Sequence, residues 1–162
     1  MVVLDVIFDG FFAAIAAVGF GAISNPPLRA FRYIAILAAI GHALRYSLMT
    51  FLGADITTAS FCGALAIGMT CLYLARKCYC PMTVLYIPAL LPMIPGKFAY
   101  NMIFSQLMFL RNMDVLSERE KYMEMFFTNS MVTATVIFVL AVGATLPQFL
   151  FPEKASSITR RN

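Results

Sequence analysis

The apolar stretch Ile87–Tyr100 is interrupted by Pro88, Pro92 and Pro95, and Gly96 follows directly. A proline inside a helix removes one backbone hydrogen bond and clashes with the preceding turn, so an unbroken helix is not expected here. In lipid, the freed carbonyl groups need another partner, and such breaks therefore occur where protein or a water-filled cavity surrounds them. Breaks of this kind often hold a substrate or an ion. We therefore place a candidate functional position at this Pro/Gly cluster.

The composition predicts the class of protein that contains this break. Hydrophobic residues make up 61% of the 162 residues and charged residues only 12%. Soluble domains are about half apolar and about a quarter charged. The chain is therefore predicted to be an all-α integral membrane protein in a lipid bilayer, with four to five transmembrane helices of roughly 20 residues. The net charge of +4 lies mostly in loops and does not indicate a nucleic-acid surface.

Five apolar segments are predicted within a single transmembrane domain over residues 1–152, and the fourth is broken near 92–96. Their approximate bounds are 4–23, 28–52, 56–75, 82–110 and 123–146. Pro147 is expected to end the last span, a mixed-charge loop is expected over 111–121, and residues 153–162 are predicted to be a flexible cytoplasmic tail. The fourth segment is either one bent span or a re-entrant pair, which gives five or four crossings.

Basic residues in the loops predict the orientation. The first loop region has Arg29 and Arg32, the third has Arg76 and Lys77, and the second has none. The positive-inside rule places the first and third loops in the cytoplasm. The N-terminus is then predicted to lie outside.

His42 and Arg45 are the candidate functional side chains of the second span. They are three residues apart and therefore share one helix face. An arginine at this depth costs about 2.5–3.5 kcal/mol on insertion scales, so it should face a cavity or a partner. The alternative is that Arg45 extends to an interface and His42 donates to a neighbouring carbonyl. We favour a functional role, since two such residues on one face are harder to explain by packing than one.

The remaining polar residues of the spans have ordinary explanations. Asn129 and Thr133 share a face of the last span, where hydrogen bonds between helices account for them and a substrate contact ranks second. The chain has four cysteines and one histidine, without the spacing of a metal cluster or a disulfide framework. It contains no motif of a nucleophilic or zinc-dependent enzyme. We therefore expect no metal, no cofactor and no enzymatic activity.

Four motifs follow one another along the chain: Asn25–Ala30, Ile40–Arg45, Pro92–Tyr100 and a late Asn129. In order and spacing they resemble the small subunit of the bipartite threonine/serine exporter-like family, over nearly the whole chain. The resemblance implies a bacterial inner-membrane location and a larger multi-span membrane subunit as partner. It also implies export of a small carboxylate, with succinate first and threonine or serine as the alternative. Lys97 departs from the family pattern, in which this position is usually uncharged, so it is either an additional substrate contact or an interface anchor.

A transport hypothesis combines the resemblance with the charges. His42 and Arg45 would provide positive charge for a carboxylate, and the half-helix beginning near Gly96 would add its N-terminal dipole. His42 could take up and release a proton and so couple export to the proton gradient. Asn25 and Arg29 would form the cytoplasmic mouth. The predicted substrate-binding or translocation residues are His42, Arg45, Pro92, Pro95, Gly96, Tyr100, Asn25, Arg29 and Asn129, with Lys97 as the additional contact.

A rival hypothesis assigns the chain no direct part in transport. In that case it is a non-catalytic scaffold that stabilises the larger subunit, and the substrate path lies wholly in the partner. His42 and Arg45 would then contact the other subunit.

Overall fold

The computed structural model describes residues 2–152, and every regular element in that range is a helix. The elements are α1 (Val2–Ile23), α2 (Leu28–Phe51), α3 (Ile56–Cys78), α4 (Met82–Leu90), a 3-10 helix (Leu91–Met93), α5 (Gly96–Arg111) and α6 (Leu116–Leu150). Four of these helices are long and apolar enough to cross a membrane, and the interrupted pair α4–α5 could form a fifth span. The predicted all-α membrane class is therefore confirmed. The predicted cytoplasmic tail, residues 153–162, lies outside the described residues.

The described residues form two compact units. The first contains the chain up to Met93 together with the part from Val139 onward, and the second is Ile94–Phe138. In the first unit, α2 packs against α1, α3 and α4, and α4 also contacts α1 and α3. The second unit contains α5 and the first part of α6. An apolar groove of about 290 Å³ in this unit is lined by Gln106, Phe109, Leu110, Met123 and Phe126.

Small residues allow the helices of the first unit to approach closely. A Cβ added at Gly63 of α3 would lie 2.9 Å from the carbonyl oxygen of Gly41 on α2. A Cβ at Gly10 of α1 would lie 3.2 Å from the carbonyl oxygen of Ala39 on α2. Ala13, Ala17 and Gly21 of α1 are spaced by four residues, share one helix face and are buried, so they form a stripe of small residues in this packing. The small-xxx-small spacing thus marks contacts between helices, as expected for membrane proteins.

Residues between the helices explain where the helices end. Asn25 has φ +45° and Tyr79 has φ +54°, so both lie in the left-handed region that ends a helix. The Asp55 carboxylate caps α3 by accepting from the backbone N–H groups of Thr57 and Thr58 at 2.9 and 3.0 Å. The pKa of Asp55 is lowered, chiefly because the Thr58 hydroxyl donates to the carboxylate.

The last helix differs from the prediction at both ends. It begins at Leu116 and not near residue 123, because the charged residues of the expected loop fit a helix. Glu118 and Lys121 lie one turn apart, with 3.7 Å between Oε2 and Nζ. It also continues through Pro147 to Leu150. The expectation that Pro147 ends the helix is wrong. Its ring packs where Gly68 has no side chain, with Cγ 3.0 Å from the Cβ position, and the helix resumes as Phe151 N–H donates to the Pro147 carbonyl.

Candidate functional site

The predicted break lies between the 3-10 helix and α5. Pro92 and Pro95 have no N–H, so they cannot donate to the carbonyl groups one helical turn earlier. Beyond the break, the Pro95 carbonyl accepts from the N–H groups of Phe98 and Ala99 at 3.0 and 3.1 Å, and these are the first hydrogen bonds of α5. The helix that ends at Met93 therefore has carbonyl groups without helical donors, as every helix C-terminus does.

Arg45 occupies this helix end. Its Nη1 donates to the Met93 carbonyl oxygen at 2.6 Å, across 48 positions of the chain. The cation both satisfies an end carbonyl and lies at the negative pole of the helix dipole. Gly63 makes room for this contact, because a Cβ there would lie 2.7 Å from Met93 Cε and 3.5 Å from Arg45 Cβ. The close approach of α2 and α3 therefore positions the arginine at the break.

His42 is paired with an acid on a different helix. Its Nδ1 lies 3.0 Å from Oδ2 of Asp9 on α1, and the two side chains are 13% and 34% exposed. The other ring nitrogen, Nε2, is buried and has no hydrogen-bond partner within residues 2–152. The negative charge of the Asp9 carboxylate also attracts the Arg45 guanidinium. Three ionisable side chains from α1 and α2 thus lie near the break.

The other predicted residues of the first unit lie elsewhere. Arg29 is 16 residues before Arg45 on α2, which corresponds to about 24 Å along the helix. It is exposed, and its guanidinium lies 6.0 Å from the centre of the Tyr79 ring. Asn25 is exposed and ends α1 in the left-handed conformation. The structure does not bring these two residues to His42 and Arg45, and their assignment to a cytoplasmic mouth stays a prediction.

Five predicted residues belong to the second unit. Pro95, Gly96, Lys97 and Tyr100 form the start of α5, where Pro95 is buried and the other three are exposed. Asn129 is 8% exposed, and its Nδ2 donates to the Met125 carbonyl of its own helix at 2.6 Å. Their roles in substrate binding stay predictions.

Asp9 was missed in the sequence, although two signals point to it. It lies inside an apolar run, where an ionisable residue suggests function by default. It also lies four residues before Ala13, so it extends the stripe Ala13-Ala17-Gly21 by one turn toward the N-terminus. A polar residue on a packing stripe has to meet a neighbouring helix.

A family model described as "Threonine/Serine exporter, ThrE" matches residues 9–150, a range that contains Asp9, His42, Arg45 and the break. The chain belongs to the threonine/serine exporter ThrE family. It is also 34% identical over 150 residues to an uncharacterized protein of Haemophilus influenzae, and the match covers 91% of this chain and 48% of that protein. This ThrE-family chain therefore spans about half the length of that curated relative. No solved structure matches it.

Family membership and the apolar helices together make this ThrE-family chain a multi-pass membrane protein from a family of exporters. The side chains near the break differ in charge and in hydrogen-bonding capacity. Arg45 has five N–H donors in a planar fork that matches a carboxylate. Asp9 provides a carboxylate that accepts hydrogen bonds, and His42 has two ring nitrogens whose donor and acceptor roles depend on the tautomer.

Proposed function

We propose that this chain is a membrane subunit of a two-component exporter of small carboxylates in the bacterial inner membrane, with succinate as the first substrate to test. One observation carries the proposal: Arg45, a half-buried cation inside a transmembrane helix, lies at the break, where its hydrogen bond within residues 2–152 goes to the neutral backbone carbonyl of Met93. A transport role of this kind requires neither a cofactor nor chemical conversion of the substrate.

A substrate carboxylate can compete for this guanidinium. Hydrogen bonds between two charged groups are roughly twice as strong as those between neutral groups, and a guanidinium can hold a carboxylate by two parallel bonds. The Met93 carbonyl uses one Nη1 donor of Arg45. A carboxylate that approaches the break would therefore accept stronger hydrogen bonds from Arg45 than the Met93 carbonyl does.

Asp9 favours a second candidate substrate. A succinate dianion would meet the negative charge of Asp9 near the two cationic groups. Threonine or serine has an ammonium group that could pair with Asp9, while its carboxylate pairs with Arg45. The description of the family model as a threonine/serine exporter supports the same candidate.

The partner is a larger multi-span membrane subunit in this proposal. The matched region is 48% of the Haemophilus influenzae protein, so that relative contains a further half without a counterpart in the match. Transporter sites commonly lie between two membrane repeats. A separate subunit would provide the second half of the pathway here.

Efflux measurements test this proposal. Cells that lack their own exporters would be loaded with labelled succinate or labelled threonine and would express this chain, the larger subunit, both or neither. We expect faster succinate efflux only when both subunits are present. Faster efflux of threonine alone would replace succinate with the second candidate. Efflux of both substrates at the level of the empty vector, with both subunits present in the membrane, would refute the proposal.

A further inference from the structure

The contact between Asp9 and His42 is the part of the site that the substrate proposal does not explain. Nδ1 of His42 lies 3.0 Å from Asp9 Oδ2. A carboxylate only accepts hydrogen bonds when it is ionised, so this contact places the imidazole proton on Nδ1. The neutral ring then has its lone pair on Nε2. A second proton can be added only at that atom.

Nε2 is an unusual atom in this position. It is buried and has no hydrogen-bond partner among the described residues. An unpaired polar atom away from water costs about 1–3 kcal/mol, so native structures rarely keep one without a reason. The lone pair on Nε2 is therefore unused in this arrangement, and Nε2 is the atom of His42 that can accept a proton.

The charges around His42 determine how readily it takes up that proton. The elements packed against α2 in this unit are α1, α3 and α4. The charged groups of these helices are Asp5 and Asp9 on α1, Arg29, Arg32 and Arg45 on α2 itself, and Arg76 and Lys77 at the end of α3, while α4 has none. The other titratable groups are Tyr33 and Tyr46 on α2, Cys62, Cys71, Tyr73 and Cys78 on α3, and Tyr86 on α4. Asp9 is therefore the acid in direct contact with His42, and it opposes the repulsion from Arg45.

We infer that Asp9 is a positioning residue of the transport site: it holds His42 by Nδ1, so that Nε2 gains and loses one proton in each transport cycle. The inference rests on the proposed function, and it assigns the proton-carrying atom and the residue that orients it. The proton adds to the Nε2 lone pair to give an imidazolium beside the Asp9 carboxylate, and it returns to water or to the substrate when the ring becomes neutral again.

The pH profile of efflux tests this inference, with both subunits present and the substrate that the wild type exports. A single protonation changes the rate up to tenfold per pH unit on one limb of the profile. Asp9→Asn keeps the size and the acceptor oxygen but removes the charge. An asparagine amide can donate to Nδ1 as well as accept from it, so the ring is no longer held with its lone pair on Nε2, and we expect the midpoint of the profile to move away from the wild-type value.

Two further variants make the result specific. Asp9→Glu restores the carboxylate and should move the midpoint back toward the wild-type value. Asp5→Asn removes an exposed acid one turn earlier on the same helix and should leave the midpoint unchanged. A midpoint in Asp9→Asn equal to that of the wild type would overturn the inference while the wild-type efflux still supports the proposed function. A wild type without efflux refutes the proposed function itself.

Discussion

Gly63→Ala is predicted to weaken the contact between α2 and α3 that positions Arg45. A methyl group at Gly63 would lie 2.7 Å from Met93 Cε and 2.9 Å from the Gly41 carbonyl oxygen, whereas ordinary contacts begin at about 3.4 Å. The end of the Met93 side chain can move. The Gly41 carbonyl belongs to the backbone of α2, so the two helices have to separate.

The cost follows from general measurements of overpacking. Extra methyl groups in a packed interior cost about 1–3 kcal/mol. Alanine recovers up to about 1 kcal/mol of this through its better helix propensity. A net loss of about 1–2 kcal/mol corresponds to a folded-to-unfolded ratio that is lower by a factor of roughly 5–30.

The assay is a titration of the purified protein from mild-detergent micelles into sodium dodecyl sulfate, followed by circular dichroism, because the chain has no tryptophan for fluorescence. Gly19→Ala is the matched control, since nothing lies within 4 Å of its Cβ position. We expect Gly63→Ala to unfold at lower sodium dodecyl sulfate and Gly19→Ala at the wild-type level or above. Equal midpoints for the two variants would refute the close-contact reasoning.

A companion variant tests which atoms obstruct the contact. A Cβ at Gly41 would overlap with Cδ1 of Ile67 and lie 2.6 Å from its Cγ1. Ile67→Val removes Cδ1, so it should partly rescue Gly41→Ala. It should give no rescue of Gly63→Ala, where the obstruction is a backbone oxygen, and should add only its own loss of about 0.5–1.5 kcal/mol for the methyl group removed from a buried side chain. Rescue of both variants to the same extent would contradict this assignment.

Two further predictions concern helix ends. Hydrogen bonds from Thr58 and Thr57 lower the pKa of Asp55, so the stability that they add is present above the pKa of the unfolded chain and is lost as the pH falls through the lower folded pKa. The wild type should therefore lose stability on acidification, whereas Asp55→Ala should be less stable at neutral pH and lose less. The sodium dodecyl sulfate titration, run at neutral pH and at acidic pH, measures both effects. Asn25 has φ +45°, a conformation that glycine adopts readily and a β-branched residue does not. Asn25→Gly should therefore leave the amount of folded protein in size-exclusion chromatography unchanged, and Asn25→Val should reduce it. Equal amounts of folded protein for the two variants would argue against a conformational role.

The positions of the helices were largely predictable from the sequence. Runs of apolar residues about 20 long identify spans whatever their partners are. Pro92, Pro95 and Gly96 identify the break, because the missing N–H groups of proline act locally. The spacing of His42 and Arg45 likewise places them on one face without reference to another helix.

The partners of the charged side chains were not predictable in the same way. Arg45 binds the carbonyl of Met93, and every residue has a backbone carbonyl, so no sequence pattern distinguishes this one. Asp9 meets His42 across 33 positions because α1 and α2 pack in one particular register. That register depends on close contacts such as Gly10 against Ala39, and not on local periodicity.

The ends of α6 show a related limit. Pro147 breaks a helix by local rules, yet the chain continues as a helix because the space beside Gly68 accepts the ring. Prolines within transmembrane helices are tolerated when neighbouring groups compensate for the lost bond. Tertiary packing therefore decides the outcome at Pro147, and Pro88 likewise lies inside a helix, α4, whereas the chain breaks after Met93.

Substrate counterflow in vesicles with both purified subunits tests the central claim most directly, namely that Arg45 at the break binds the substrate carboxylate. Arg45→Gln retains an N–H donor for the Met93 carbonyl but removes the charge, and Arg32→Gln removes an exposed arginine from the same helix. A hydrogen bond to a charged group contributes about 1.5–3 kcal/mol, so counterflow in Arg45→Gln should fall roughly tenfold or more, with copurification of the subunits unchanged and Arg32→Gln at the wild-type level. Wild-type counterflow in Arg45→Gln would contradict the claim, and loss of copurification would support the scaffold hypothesis in its place.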